Sequence, residues 1–281
     1  MKHLIVTADD FGAAREVNDA VEHAHRHGIL TAASLMVAAS AAADAVARAQ
    51  AMPSLRVGLH LVLVEGRPAL PPAAIPDLVD ATGHFRTDMA RAGAAMFFRP
   101  AVRRQLDAEI TAQFEAFAAT GLPLDHVNTH KHFHLHPTIA GAILHIGKAF
   151  GMRAMRVPLE PRAVLAAAEP GASTPPAIIT WPWAALLRRR LRNAGLRVPD
   201  AVFGLAWSGA MTTARMRGLL AHLPDGLSEI YLHPATSAGF DGAAPGYRYK
   251  EELDALSDRE VVSAARHGRI RLGGFADFLA P

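Results

Sequence analysis

Short apolar runs alternate with longer segments of helical spacing along the whole chain. Leu4–Ala8 is apolar and ends on Asp9-Asp10, the pattern of a buried strand. Across Ala13–His27, Val17, Ala20, Val21 and Ala24 share one face, which predicts a helix that Gly28 stops. The same reading gives strands at Ala32–Ala38, Arg56–Val62, His126–His130, Arg153–Val157, Asp200–Gly204, Glu229–His233 and Ile270–Leu272. Between them it gives helices at Ala41–Ala51, Val102–Thr120, Thr138–Phe150, Trp183–Ala194, Thr212–His222 and Lys250–Arg266. Glu65 to Arg99 reads as a long functional loop, Arg162–Pro182 as an insertion and Thr236–Tyr249 as a Gly-rich loop.

Seven or eight β–α units in unbroken succession call for a parallel sheet covered by helices. The count predicts a distorted (β/α) barrel of the α/β class, with an open doubly wound sheet as the alternative. Neither GxGxxG nor GxxxxGK[ST] occurs, so nucleotide-binding folds lack their main signal. No linker divides the chain, which predicts one domain over 1–281.

Composition narrows this picture. At 281 residues and 51% hydrophobic, the chain can bury a large core and is not disordered. It has no cysteine, which excludes disulfides, thiolate metal ligands and thiol nucleophiles. The net charge is only +3 and no run of five like charges occurs, so no nucleic-acid partner is expected. The N-terminus lacks the apolar core of a signal peptide, and no stretch reaches bilayer-spanning length, so a cytoplasmic location is expected.

Histidine is the outlier: fifteen in all, five of them between His126 and His136. In a barrel the catalytic groups gather at the C-terminal ends of the strands. Asp9 and Asp10, His60, His130 to His136 and His233 all fall at such ends. Strand neighbours face opposite ways, so Asp9 and Asp10 share a pocket only if the chain curls there. His130, His132, His134 and His136 recur with period two, which in extended chain puts four imidazoles on one side. His23, His25 and His27 lie on a helix among charges and read as a solvated face. Two imidazoles and a carboxylate form a hydrolytic metal site with open positions, and such donors suit Zn²⁺ better than Mg²⁺.

Ala-Asp-Asp-Phe-Gly (8–12), Gly-Leu-His-Leu (58–61), Thr-His-Lys-His-Phe-His-Leu-His-Pro (129–137) and Tyr-Leu-His-Pro-Ala (231–235) occur in that order. Together they resemble the YdjC-type carbohydrate deacetylases, which are related to the polysaccharide deacetylases. Residues 29–37, 58–68, 126–137 and 203–212 further resemble the HpnK subgroup, associated with hopanoid biosynthesis. The resemblance implies a metal-dependent hydrolase that removes the N-acetyl group of an N-acetylglucosamine-type sugar, on a hopanoid lipid. It implies Asp10, His60 and His130 as metal ligands, Asp9 as base and His233 as acid. His132 and Arg156 are read beside these as substrate-orienting groups. The family's usual ion is Mg²⁺, whereas the donor set favours Zn²⁺, so the divalent ion stays open. Asn128-Thr129-His130-Lys131-His132 departs from the Asp-Ser-His-His-His common in chitooligosaccharide deacetylases, which bears on substrate more than on chemistry.

A chitooligosaccharide deacetylase is the nearest alternative. A glycoside hydrolase would want two separated carboxylates, and a metal- or sugar-binding protein would need neither base nor acid. A lipid-linked substrate also predicts peripheral membrane contact. Trp181 and Trp183 with Arg188, Arg189, Arg190 and Arg192, beside Met96-Phe97-Phe98-Arg99, are the candidate segments. In the alternative arrangement Leu186, Leu187 and Leu191 pack on the barrel and the arginines face water.

Overall fold

The computed structural model describes residues 1–171, 181–267 and 269–279. Strand β1 (Lys2–Phe11) is the centre of a parallel sheet. Strands β2 (Ala32–Leu35), β3 (Arg56–Leu61) and β4 (Val127–Thr129) follow on one side, and β6 (Gly226–Leu232) and β5 (Ala201–Phe203) on the other. The order is β4-β3-β2-β1-β6-β5, and β7 (Ile270–Leu272) pairs with the start of β1. Between the two outer edges runs the segment 153–159. Met155 bridges Val127 of β4, Ala154 bridges Arg197, and Val202 of β5 donates its N–H to Leu159. The sheet therefore curls into a distorted barrel, as the alternation of elements predicts.

The helices cover its outside through the faces the spacing predicts. In α1 (Arg15–His27), Val17, Ala20, Val21 and Ala24 are all buried. Helix α2 (Ala42–Gln50) buries Ala45 and Ala49. Helix α4 (Pro100–Ala119) buries Leu106, Ile110, Phe114 and Phe117, and α5 (Pro137–Ala149) buries Ile139 and Ile143. Helix α8 (Thr213–His222) buries Met216 and Leu219.

Several local readings differ. The loop Glu65–Arg99 contains helix α3 (Met89–Phe98), begun where Asp88 accepts the N–H of Arg91. The insertion contains helix α6 (Arg162–Ala168), while residues 172–180 of it lie outside the described residues. The strand read at Arg153–Val157 consists of bridges only. The last long helix is two: α9 (Tyr249–Ser257) and α10 (Arg259–His267). Asp258 adopts extended backbone between them, and its side chain accepts the N–H groups of Glu260 and Val261, capping the second. His25 is not simply solvated: its ring bonds Leu30 O and Ser54 Oγ, both at 2.8 Å, while His23 and His27 lie on the same helix.

Among the described residues no helix is long and apolar enough to cross a membrane. In α7 (Trp181–Asn193), Ala184, Leu187 and Leu191 are buried, whereas Leu186 is 56% exposed and Trp183 44% exposed. Leu187 and Leu191 thus pack as the barrel-packing arrangement expects, whereas Leu186 points away from the core.

Candidate active site

A β-bulge assembles the acidic pair. The pairing of β1 with β2 runs Ala8↔Ala33 and then Phe11↔Leu35, so Asp9 and Asp10 together stand opposite Ser34 alone. Asp10 takes the extra position with φ +61°, a left-handed conformation that aspartate tolerates better than most residues. The bulge breaks strand alternation, and both carboxylates enter one site. The following Gly12 has φ +94°, and a side chain there would press on Ala42 and Leu35 at 3.2 Å.

His60 enters from β3 and His130 from the residue after β4. Oδ1 of Asp10 lies 3.3 Å from Nε2 of His60 and 3.3 Å from Nδ1 of His130. The two imidazole nitrogens are 3.5 Å apart, and the three donor atoms lie within 4.8 Å of one another. Oδ1 of Asp10 is buried and has no hydrogen-bond donor. An acceptor-only oxygen aimed at two ring nitrogens is a donor set that fits a divalent cation. Burial pushes the Asp10 carboxyl up, but His130 and His60 outweigh it and hold it well below the usual range. Burial lowers His60, and the neighbouring carboxylates of Asp10 and Asp9 more than reverse this.

Asp9 belongs to a second layer behind this triad. Arg156 grips it with two bonds, NH1 to Oδ2 at 2.5 Å and NH2 to Oδ1 at 3.0 Å. The same guanidinium donates to Oε1 of Glu229 at 2.7 Å and 3.0 Å and lies 4.4 Å above the Tyr231 ring. Burial raises the Asp9 carboxyl, but Arg156 dominates and keeps it far below the ordinary value. Arg156 has no exposed surface. Its reach is to Asp9 and Glu229, so it positions the acid behind the triad instead of lining a cleft.

His233 follows β6, whose register with β1 pairs Ala8 with Leu232 and so sets His233 beside Asp9. Its backbone N–H is held by Glu252 at 2.5 Å, and its ring Nδ1 is buried with no partner among the described residues.

The segment after His130 corrects the period-two reading. Residues His130–Leu135 form a 3₁₀ turn, and Lys131 and His132 have φ of +55° and +53°. The histidines therefore diverge. His132 bonds Tyr231 Oη at 2.8 Å, and His134 bonds Thr129 Oγ1 at 2.7 Å. Burial keeps both neutral, lowering His134 to about 3 and His132 well below its usual range. His136 touches the Phe97 ring at the outer side of the turn.

A family model described as YdjC-like protein matches residues 3–267. The protein belongs to the YdjC-like family. It is similar to a carbohydrate deacetylase of Geobacillus stearothermophilus, 29% identical over 99% of this chain and 98% of that one. A carbohydrate deacetylase of Brevibacillus brevis is 38% identical, over 52% of this chain and 56% of that one, so that match spans only about half of either. Among solved structures, one from Enterococcus faecalis V583 superposes with a TM-score of 0.75. It is 24% identical and covers 99% of both chains, a likeness of fold.

In this YdjC-like chain the backbone strain also marks the site. Among the described residues, the non-glycines with positive φ are Asp10, Glu65, Lys131 and His132. Asp10 is in the triad, Lys131 and His132 adjoin His130, and Lys131 reaches Glu65 at 2.8 Å across the cleft mouth. Such strain is concentrated where function over-determines conformation. A cleft of about 330 Å³ opens from Asp10 and His130 toward Arg67, His84, Phe240 and Tyr249. Its wall is set by α4, where buried Glu109 takes the N–H groups of Ala69 and Leu70 and Gln113 bonds both N–H and C=O of Val62.

Sequence reasoning missed Ser34 and Glu229, and it gave no role in the site to Asn128 and Tyr231, although both stand within its motifs. Glu229 and Tyr231 sit inside an apolar strand run, where a buried acid is unexpected, and that is the one signal that could have found Glu229.

Proposed function

We propose that this YdjC-like protein is a metal-dependent carbohydrate deacetylase that hydrolyses the N-acetyl group of an N-acetylglucosamine-type sugar. The observation that carries the reading is the unpartnered Asp10 oxygen facing His60 and His130 beside an ionised, buried Asp9. The relatives named as carbohydrate deacetylases support the substrate class. Asp10, His60 and His130 hold the ion, Zn²⁺ or Mg²⁺. A divalent ion there supplies Lewis-acid chemistry, acidifying water and polarising the acetyl carbonyl.

The chain's own groups do the rest. Arg156 keeps Asp9 ionised, so Asp9 is ready to accept the proton of the attacking water. Because Arg156 also weakens Asp9 as a base, the proton it takes must come from an already acidified donor. His233, alongside Asp9, donates a proton to the departing amine. His132 is fixed by Tyr231 through Nε2, which leaves its Nδ1 for a substrate hydroxyl or carbonyl. Water and the amide become acetate and a free amine. The separated carboxylate pair that glycoside hydrolysis needs is not what surrounds this triad, where imidazoles predominate.

The test is acetate release after chelation and metal add-back, comparing N-acetylated chitooligosaccharides with lipid-linked N-acetylglucosamine. His60→Ala is expected to lose most metal affinity and with it turnover, because an open site has no spare protein donor. Full metal occupancy with wild-type turnover in that variant would overturn the ligand assignment.

The hopanoid-linked substrate implied by the subgroup resemblance has one supporting feature. Phe97, Phe98, Trp183 and Leu186 are exposed around the His130–Leu135 turn: Phe97 meets His136, and the Trp183 indole N–H donates to Leu135 O. Apolar rings beside the arginines of α7 suit an anionic lipid surface. Flotation with anionic liposomes should show salt-sensitive binding that weakens in Arg188→Gln/Arg189→Gln/Arg190→Gln. Absence of binding even at low salt would overturn the membrane contact, and a lipid-linked substrate would then need a partner protein to present it.

A further inference from the structure

Behind His60 lies a buried chain of hydrogen bonds whose direction can be worked out link by link. Oδ1 and Nδ2 of Asn128 face different partners. Nδ2 lies 3.2 Å from Asp9 Oδ1 and 2.9 Å from Ser34 Oγ. An ionised carboxylate only accepts, so the amide NH₂ must face Asp9. The amide oxygen therefore faces His60, 2.6 Å from its Nδ1. An amide oxygen only accepts as well, so His60 carries its proton on Nδ1. Its Nε2 lone pair is left pointing at Asp10 and His130.

The chain continues away from the site. Ser34 Oγ accepts from Asn128 and donates to His126 Nε2 at 3.0 Å. His126 Nδ1 donates to Asp125 Oδ2 at 2.9 Å. Asp125 is pinned in turn by the backbone N–H groups of Phe275 at 3.1 Å and Ala276 at 2.8 Å. His126 stacks on Phe275 with centroids 4.5 Å apart, and only glycine fits at 58, where a Cβ would stand 2.5 Å from the His126 ring. Ser34, Asn128, His126 and Asp125 are all buried, so water does not offer competing partners.

We propose that Asn128 is a positioning residue that locks His60 in its Nδ1–H tautomer while orienting Asp9, and that Ser34, His126 and Asp125 hold Asn128 in that orientation. One side chain thereby couples the ligand histidine to the base. Free histidine favours the other tautomer only modestly, so a fixed acceptor at Nδ1 decides which nitrogen is available. Groups that orient a ligand in this way typically contribute roughly 10–100-fold in metal affinity. A carboxylate at 128 would still accept from His60 but would repel Asp9; the amide serves both neighbours.

The inference rests on the reading of His60 as a ligand, and its test separates the two. Selective ¹⁵N-histidine NMR of the metal-free protein at alkaline pH reports the His60 tautomer without any metal, with the signal assigned by its loss in His60→Gln. The wild type should show Nδ1–H, and Asn128→Ala should shift His60 toward Nε2–H. Zn²⁺ affinity, measured by competition with a chromophoric chelator, should fall roughly 10–100-fold in Asn128→Ala. Asn128→Asp should restore the tautomer and most Zn²⁺ affinity while still lowering kcat, because Asp9 then faces a second carboxylate. Ser34→Ala should weaken Zn²⁺ binding less than Asn128→Ala. An Nδ1–H signal and wild-type Zn²⁺ affinity in Asn128→Ala would overturn the proposal. A wild type with the Nδ1–H tautomer that binds no Zn²⁺ would instead overturn the metal reading and leave the tautomer lock standing.

Discussion

Replacing Arg156 with methionine should destabilise the fold by about 3–5 kcal/mol at neutral pH, the usual cost of removing one partner from a buried ion pair. Asp9 is 2% exposed and Glu229 fully buried, and both lean on this one guanidinium. Among the described residues, Asn128 and Thr7 alone would remain as donors to them. The loss should depend on pH in a definite direction. In the wild type Asp9 lies below its unfolded value, so its contribution is present above about pH 3.9 and disappears only in stronger acid. Without Arg156, burial is opposed by too little positive charge, and Asp9 moves above its unfolded value. Its contribution is then favourable at low pH and lost as pH rises through the raised value. The deficit against wild type should therefore shrink between about pH 7 and about pH 5 in urea denaturation. A deficit that stays constant over that range would mean that Arg156 acts through packing on Tyr231 and not through charge.

Asp9→Asn should lower deacetylation by about 10²–10⁴-fold, the range for a general base, while leaving metal affinity close to wild type. The separation follows from the bulge. Asp10 is the carboxylate that meets His60 and His130, and Asp9 is turned back onto Arg156. Turnover and Zn²⁺ competition on the same preparation check it. Turnover within tenfold of wild type would remove Asp9 from the base role, and loss of metal with turnover would make it part of the ion's shell. Stability should fall less than in Arg156→Met, since asparagine keeps an oxygen for Arg156 and removes only one charge.

The exposed rings around the His130–Leu135 turn and the strained residues beside the triad lie on the same side of the barrel. Lys131 and Glu65, both in left-handed backbone, are joined by an ion pair exposed to water. Such pairs contribute little to stability, so the strain there is held by the buried Thr129–His134 bond and the partly buried His132–Tyr231 bond. The rigid turn explains why four histidines in nine residues serve different ends. One belongs to the triad, one is held by Tyr231, one is buried against Thr129, and one meets the outer aromatic cluster.

Alternating apolar runs and amphipathic spacing determined the parallel sheet, its helical cover and the placement of acids and histidines at strand ends. These are local properties, because a strand buried on both faces must be apolar and a covering helix must carry one apolar stripe. The motifs at 8–12, 58–61, 129–137 and 231–235 likewise pointed to one site from sequence order alone. What the tertiary structure alone decided was direction. The family resemblance distinguished Asp10 from Asp9, but the two are adjacent and chemically identical, and the bulge opposite Ser34 is the physical reason that they face different partners. The period-two histidines looked alike until left-handed Lys131 and His132 turned them apart. The final long helix broke at Asp258, where a side-chain cap outcompeted continuation of the helix. Arg156, Glu229 and Asn128 took their roles from partners 73 to 147 and 68 to 119 residues away in the chain. No local pattern encodes such pairings, because a buried charge or amide is stable only when the closed barrel brings its partners to it.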